Sequence, residues 1–277
     1  MTVTIETDQQ TSAQYAEEWA EWHRRHEAII GDKHGFLSIT SINWLDGNRQ
    51  RFPDAPGEWS TDSDGVHVDL ADGEEITVDG VITRGRHDFG VVPERASITV
   101  GWGDAVIEVA KRGGFDIVRP RHPDAPLVTA YHGTPAYQPD PRWVVTGTYV
   151  PFATPRPTTV GAAVEGLHHV YRAPGRVEFS LEGKPYALTL FENEHGAGFM
   201  ALFTDVTSGV TTYAANRSIR VDEPAADGTV VVDFNRATNL PCAYTDLATC
   251  PLPPAENHLP VAVETGEKIP YERLTDG

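Results

Sequence analysis

Residues 159–221 read TVGAAVEGLHHVYRAPGRVEFSLEGKPYALTLFENEHGAGFMALFTDVTSGVTTYAANRSIRV, and they follow WVVTGTYVPF at 143–152. The pattern is that of strands joined as hairpins. Turns are expected at Ala173-Pro174-Gly175, at Glu182-Gly183-Lys184-Pro185, from Asn193 to Gly198 and at Thr207-Ser208-Gly209. The strands are long, and GFMALF at 198–203 is an almost uninterrupted apolar run. Together they predict a curved sheet or partly closed barrel, with a filled or ligand-holding interior, over about residues 143–234.

Upstream, the short alternating segments VHVDL, EEITVDG, VITRG, ASITVGW, AVIEVAKRG and FDIVRP lie between Asp-Gly, Gly-Asp and Gly-Gly breaks. With the apolar, β-branched run FLSITSINWL at 36–45, they predict an antiparallel meander over 35–120, one face buried and one wet. The proline-studded stretch RPRHPDAPLVTAYHGTPAYQPDPRW (119–143) predicts an irregular crossing, about 121–142, that admits no regular element. His132 on it reads as a solvated loop histidine, with acid or base service as the alternative. At the start, TSAQYAEEWAEWHRRHEAII (11–30) places Tyr15, Trp19, Trp22, His26 and Ile30 three or four apart, the stripe of an amphipathic helix. Thr11 or Ser12 is the expected cap and Gly31 the stop. Residues 1–34 should therefore pack an aromatic face on the β body or against a subunit partner, and a homodimer is compatible with that face. The fold class is mainly β: a helix, a meander, and a curved sheet or partly closed barrel over 143–277.

The chain closes with VVVDFNRATNLPCAYTDLATCPLPPAENHLP at 230–260. It opens as a strand and breaks into Asp, Asn, Arg and Pro residues that cannot continue a ladder. Five prolines and both cysteines lie in it, so it reads as an ordered loop.

This segment resembles the closing signature of domain-of-unknown-function family 1684. The matching residues are Asp233-Phe234-Asn235, Asn239 with Pro241-Cys242, Ala248 to Pro254, Glu256-Asn257, Leu259-Pro260 and Gly266-Glu267. Further matches are Trp44-Leu45 and Gly47, Asp140-Pro141-Arg142, Pro174-Gly175, and Asp205, Thr207 to Gly209, Thr212, Tyr213 and Arg217. The resemblance implies a domain outline and no mechanism. Two positions depart from it: Asn216 stands where a glycine is usual, and His258 where an arginine is usual.

The formal charge of −18 argues against nucleic acid or an anionic membrane surface as partner, because such binding needs clustered cations. No apolar run reaches the roughly 20 residues of a membrane helix. The opening MTVTIETDQQ lacks a secretory pattern, so a cytoplasmic protein is expected. Cys242 and Cys250, eight residues apart, read as reduced structural thiols; a disulfide, or a metal or catalytic thiol, is the alternative. Their spacing is not CxxC, so zinc would need distant ligands such as His168, His169, His195 or His258. No dinucleotide, P-loop, zinc-protease or EF-hand pattern occurs, and neither cofactor nor metal is expected.

Three constellations could carry chemistry. Arg217 and Tyr213 precede the strand ending at Asp233, and consecutive strands often pair. The guanidinium would then meet Asp233 or Glu256, or instead the acid or phosphate of a substrate. His168 and His169 must point to opposite strand faces, and the inward one could shuttle a proton. Asp233, Asn235, Asn239, Glu256 and Asn257 either bond their own backbone or form a pre-organised site. The expectation is a small-molecule enzyme of hydrolytic or proton-transfer type. In it Arg217 holds an anionic group, Tyr213 and Asn235 bond it, and Asp233 or His169 moves a proton, while Asn239, Glu256 and Asn257 bind the ligand. The alternative is a non-catalytic β protein that binds a small ligand or a partner.

Overall fold

The computed structural model describes residues 2–193 and 196–274. The chain forms two compact units. One comprises Met1–Ala28, Gly133–Tyr244 and Cys250–Arg273; the other comprises Ile29–His132, Thr245–Thr249 and Leu274–Gly277. Among the described residues no helix is long and apolar enough to cross a membrane.

Helix α1 spans Thr2–Ile30. It begins well before the expected cap at Thr11 or Ser12, which lie inside it. Gln9, Gln10, Ala13 and Gln14 are good helix formers, and they outweigh the preference of Thr and Ser for a terminus. The stop at Gly31 and the stripe hold: Tyr15, Trp19, Trp22 and His26 are partly buried and Ile30 is fully buried.

The unit of residues 29–132 carries ten strands in two antiparallel sheets, not one meander. They are β1 (Asn43–Trp44), β2 (Gln50–Arg51), β3 (Glu58–Asp62), β4 (Gly65–Asp69) and β5 (Ile76–Val78). Then come β6 (Val81–Thr83), β7 (Arg86–Gly90), β8 (Ser97–Trp102), β9 (Ala105–Arg112) and β10 (Phe115–Arg121). One sheet has the order β1-β10-β9-β8-β5-β6 and the other β2-β3-β4-β7. The split was hidden because β3 and β7 (EWSTD, RHDFG) are polar and show no apolar alternation. The run FLSITSINWL is mostly not strand: Phe36–Ser38 is a 3-10 turn, Ile39 makes an isolated bridge to Arg121, and only Asn43–Trp44 forms a strand. Trp59, Val66, Val68, Val100, Ile107, Val109 and Val118 fill the core of this unit. The crossing does hold a helix, α2 (Pro126–Ala130), because proline is tolerated at a helix's first position, where no N–H is needed. His132 is exposed.

Buried Glu108 on β9 takes Arg119 at 2.7 Å, Arg112 at 3.0 Å, and Arg121. Burial alone would push its carboxyl up, but Arg119 and Arg121, with Arg112, overcome that and hold it at about 2, below the usual 4.5. A carboxylate depressed in the folded state stabilises the fold fully above its unfolded value and loses that contribution as pH falls toward the folded one. Acid titration should therefore destabilise this unit between about pH 4.5 and 2, and Glu108→Gln should flatten the dependence. Tryptophan near-UV circular dichroism along the titration is the measurement, and an unchanged midpoint in Glu108→Gln would contradict it.

The other unit is built on β11 (Val144–Gly161), β12 (His168–Leu181), β13 (Lys184–Glu192), β14 (Phe199–Asp205), β15 (Arg217–Val221), β16 (Thr229–Asp233) and β17 (His258–Leu259). The order is β15-β14-β13-β12-β11-β16, with β17 parallel to β14, and the sheet curls into a half-barrel. Val177, Leu188, Leu190, Phe203, Ile219, Val232 and Phe234 fill its interior.

The turn at Glu182-Gly183 is present, both residues at positive φ, as a tight hairpin between β12 and β13 requires. The turn expected at Ala173-Pro174-Gly175 is not: β12 runs straight through it. Pro174 cannot donate to a ladder, and β11 bulges past it between Pro151 and Arg156. Gly175 serves close packing, because a Cβ there would lie 2.6 Å from the Val150 carbonyl oxygen and 2.8 Å from the Tyr149 ring. β12 alternates strictly, so His169 is buried and His168 exposed. His195 lies outside the described residues.

Candidate functional site

The closing segment folds back across the half-barrel and is held there mainly by its own amides and acids. At the end of β16, Asp233 caps the 3-10 turn Phe234–Arg236 through the Asn235 N–H. It also accepts from the Tyr15 hydroxyl at 2.8 and 2.9 Å and pairs with Arg236 at 3.2 Å. Burial, reinforced by the Asp233 carboxylate, pushes the Tyr15 phenol well above its ordinary value. Asn235 is buried; its amide donates to the Asp140 carbonyl and accepts from the Asp140 N–H and the Thr265 hydroxyl. The Trp19 indole donates to the Asn235 carbonyl at 2.8 Å. The aromatic stripe of α1 therefore lies on the closing segment, which explains why so polar a loop is ordered.

Asn257 is fully buried and replaces a missing piece of ladder. β13 and β14 pair only at Phe191 with Met200 and at Glu192 with Phe199. Where they part, the Asn257 side chain accepts from the Thr189 N–H at 2.7 Å and donates to the Thr189 and Leu202 carbonyls at 2.9 and 2.8 Å. Asn239 donates its N–H to the Glu267 carboxylate at 2.6 Å and its amide to the Lys268 carbonyl. These amides bond backbone, the reading by which asparagines order loops without a ligand.

Arg217 does not meet Asp233 or Glu256. β15 and β16 end the sheet order on either side and come close where the sheet curls round, but they form no ladder, and Arg217 turns to other partners. The guanidinium is 1% exposed and pairs with buried Asp205 at 3.3 Å. It also donates to the Val263 carbonyl at 3.0 Å and to the Thr265 carbonyl, and lies over the Phe203 ring. Asp205 in turn accepts from the Thr207 and Ser208 hydroxyls and the Val263 N–H. Burial lowers the pKa of Arg217, and Asp205 opposes that shift.

Tyr213 belongs to a different cluster, with Cys242, Cys250 and Arg273. The cysteines are buried and form no disulfide; the Cys250 sulfur accepts from the Cys242 N–H at 3.2 Å, and Arg273 bonds the Cys242 carbonyl and lies over the Tyr213 ring. Burial and the neighbouring Cys242 push the Tyr213 phenol up to about 12. Contact with Cys250, opposed by burial and aided by Tyr213 and the Arg273 charge, lowers the Cys242 thiol. His169 packs near Tyr171, with ring centroids 6.2 Å apart. The residues proposed from sequence thus fall into separate places: Asp233 with Asn235, Arg217 with Asp205, Tyr213 with the cysteines.

Glu256 is the one that reaches an open concavity. A groove of about 630 Å³ is lined by Arg156, Arg176, Glu178, Phe179, Tyr186, Thr189 and Glu256 with their neighbours. Thr189 donates to Glu256 at 3.1 Å, and Arg176 forks onto Glu178 at 2.6 and 2.8 Å. Arg156 lies 3.8 Å above the Phe152 ring. The sequence reading missed both arginines, since each sits as a solvent-facing residue of a long strand and nothing local marks it.

A second group was also missed. His23 and Glu27, four apart on α1, bring ligand atoms within 4.8 Å of one another and of Glu267, all three convergent enough to hold a cation. The HxxxE spacing on a helix was the available signal, passed over because the helix read as packing.

The family model described as "Protein of unknown function (DUF1684)" matches residues 129–268. The solution NMR structure of an uncharacterized protein from Haloarcula marismortui is 28% identical, with a TM-score of 0.44, covering 51% of this chain and 79% of that one. No curated protein matches.

Proposed function

This chain belongs to the DUF1684 family, and from that premise, which supplies an outline without a chemistry, we propose that it binds a small organic anion in the groove on the half-barrel. One observation carries the reading: the groove combines exposed Arg156, and exposed Arg176 that an incoming anion would share with Glu178, with the apolar faces of Phe179 and Tyr186 in about 630 Å³. That volume suits a metabolite-sized ligand, and a forked guanidinium suits a carboxylate or phosphate. Thr189 and Glu256 at the same rim would fix a hydroxyl or amine. Binding has more support than hydrolysis or proton transfer at Arg217, because that guanidinium is already committed to Asp205 and three carbonyls.

Native mass spectrometry with a mixture of mono- and dicarboxylates and organic phosphates tests the reading. One anion per chain should be retained, and its affinity should fall at least tenfold in Arg156→Ala/Arg176→Ala with circular dichroism unchanged. Retention at full affinity in that variant would sink the groove.

A further inference from the structure

We infer that His23, Glu27 and Glu267 form a binding site for a divalent first-row transition-metal ion, with His26 as the outer partner of Glu267. The geometry comes first. His23 Nε2 lies 3.3 Å from Glu27 Oε1, and His26 Nε2 lies 3.0 Å from Glu267 Oε1. Neither contact is aligned as a hydrogen bond: all three of His23 Nε2, His26 Nε2 and Glu267 Oε1 are buried atoms with no hydrogen-bond partner among the described residues. Donor atoms close together yet off the hydrogen-bond line are what a shared ion produces. Adjacent ligands at about 2.0–2.1 Å from a metal stand roughly 2.9–3.4 Å apart, a spacing the His23–Glu27 contact meets, and a ligand atom of Glu267 lies within 4.8 Å of both.

Glu267 is the second observation. Its side chain is only 2% exposed, and an unsatisfied carboxylate oxygen in such a place is costly. Its other oxygen is occupied by the Asn239 N–H at 2.6 Å, which fixes the carboxylate and aims Oε1 at the histidines. Gly266 makes this placement possible: it sits at φ +75°, where a Cβ would come 2.6 Å from the Ala237 carbonyl oxygen.

The remaining ligands are held as deliberately. Glu27 accepts from the Thr134 N–H at 3.1 and 3.2 Å. Trp19 stacks on His23 with centroids 4.6 Å apart and planes 11° apart, and Trp22 stacks on His26 at 5.4 Å and 6°. Ring orientation is therefore set before an ion arrives, the role that outer contacts play around metal ligands. One imidazole and two carboxylates suit Zn²⁺, Mn²⁺ or Fe²⁺ better than soft-ligand Cu⁺. Two anionic ligands neutralise a divalent charge, and three protein ligands leave a coordination position open to water or to a small anion.

The test uses chelator-treated, full-length protein titrated calorimetrically with ZnCl₂, and with CoCl₂ followed by visible absorption and tryptophan fluorescence. One Zn²⁺ per chain is expected, and Co²⁺ should quench the fluorescence, because Trp19 stacks on a ligand. His23→Ala and Glu27→Gln, at partly exposed positions, should each weaken Zn²⁺ at least tenfold without loss of fold. Cys242→Ser/Cys250→Ser should bind as the unaltered protein does. Absence of Zn²⁺ and Co²⁺ binding would overturn the site. So would binding that survives His23→Ala and Glu27→Gln, or that disappears with the cysteines.

Discussion

Arg217→Ala should lower the unfolding free energy by about 3–5 kcal/mol, the usual effect of removing one member of a buried ion pair. The substitution strands the Asp205 carboxylate in the core, and it removes the donor for the Val263 and Thr265 carbonyls, so the turn that carries Glu267 loses its anchor. Asp205→Ala should be as damaging, because Asp205 also accepts from the Thr207 and Ser208 hydroxyls and the Val263 N–H. The pair Arg217→Ala/Asp205→Ala should lose clearly less than the sum of the single changes, since no charge is left unpaired. Urea denaturation of the four proteins measures the cycle. If Arg217→Ala kept the stability of the unaltered chain, the guanidinium would be free for a ligand after all, and the sealed reading of this core would be wrong.

Asn257→Ala should cost roughly 3 kcal/mol or more, because three buried backbone groups lose their partner at once and each unsatisfied group is worth about 1–3 kcal/mol. The effect has a local signature. The Thr189 N–H, which now donates to the Asn257 side chain, should become one of the amides whose hydrogen exchange accelerates most, while the pairing of β12 with β13 on its other side persists. Asn257→Asp keeps the acceptor for that N–H and loses both donations to carbonyls, so it should restore protection at Thr189 without restoring full stability. Equal exchange at Thr189 in all three proteins would show that the side chain does not substitute for the ladder.

Both residues were singled out from sequence, and both for a reason that the fold redirects. Arg217 reads as a site residue because a fixed cation beside a strand invites an anion, and the anion turns out to be Asp205, twelve positions earlier. Nothing in the local pattern of Asp205-Val206-Thr207-Ser208-Gly209 distinguishes an acid that caps a turn from one that also neutralises an arginine. Asn257 reads as a loop amide, and it is one, but the backbone it bonds belongs to strands about 55 and 68 residues away.

What the sequence determined by itself is what repeats along the chain. Period-two alternation placed the strands from β8 to β10 and put His168 and His169 on opposite faces, because successive strand residues must face opposite ways, while the fold decided that His169 is the buried one. The three-and-four spacing of Tyr15, Trp19, Trp22 and His26 placed the buried face of α1, and Glu182-Gly183 placed a hairpin, because each is set by backbone geometry over a few residues. Only the tertiary structure decided how strands are ordered, that β15 and β16 stand at opposite ends of one sheet, and that Pro174-Gly175 continues a strand while β11 bulges past it. It alone brought Glu267 to His23 and Glu27 across some 240 residues of chain. Those outcomes depend on which surfaces meet once the sheet has curled, and the partner of a buried charge is chosen by that closure and not by its neighbours in sequence.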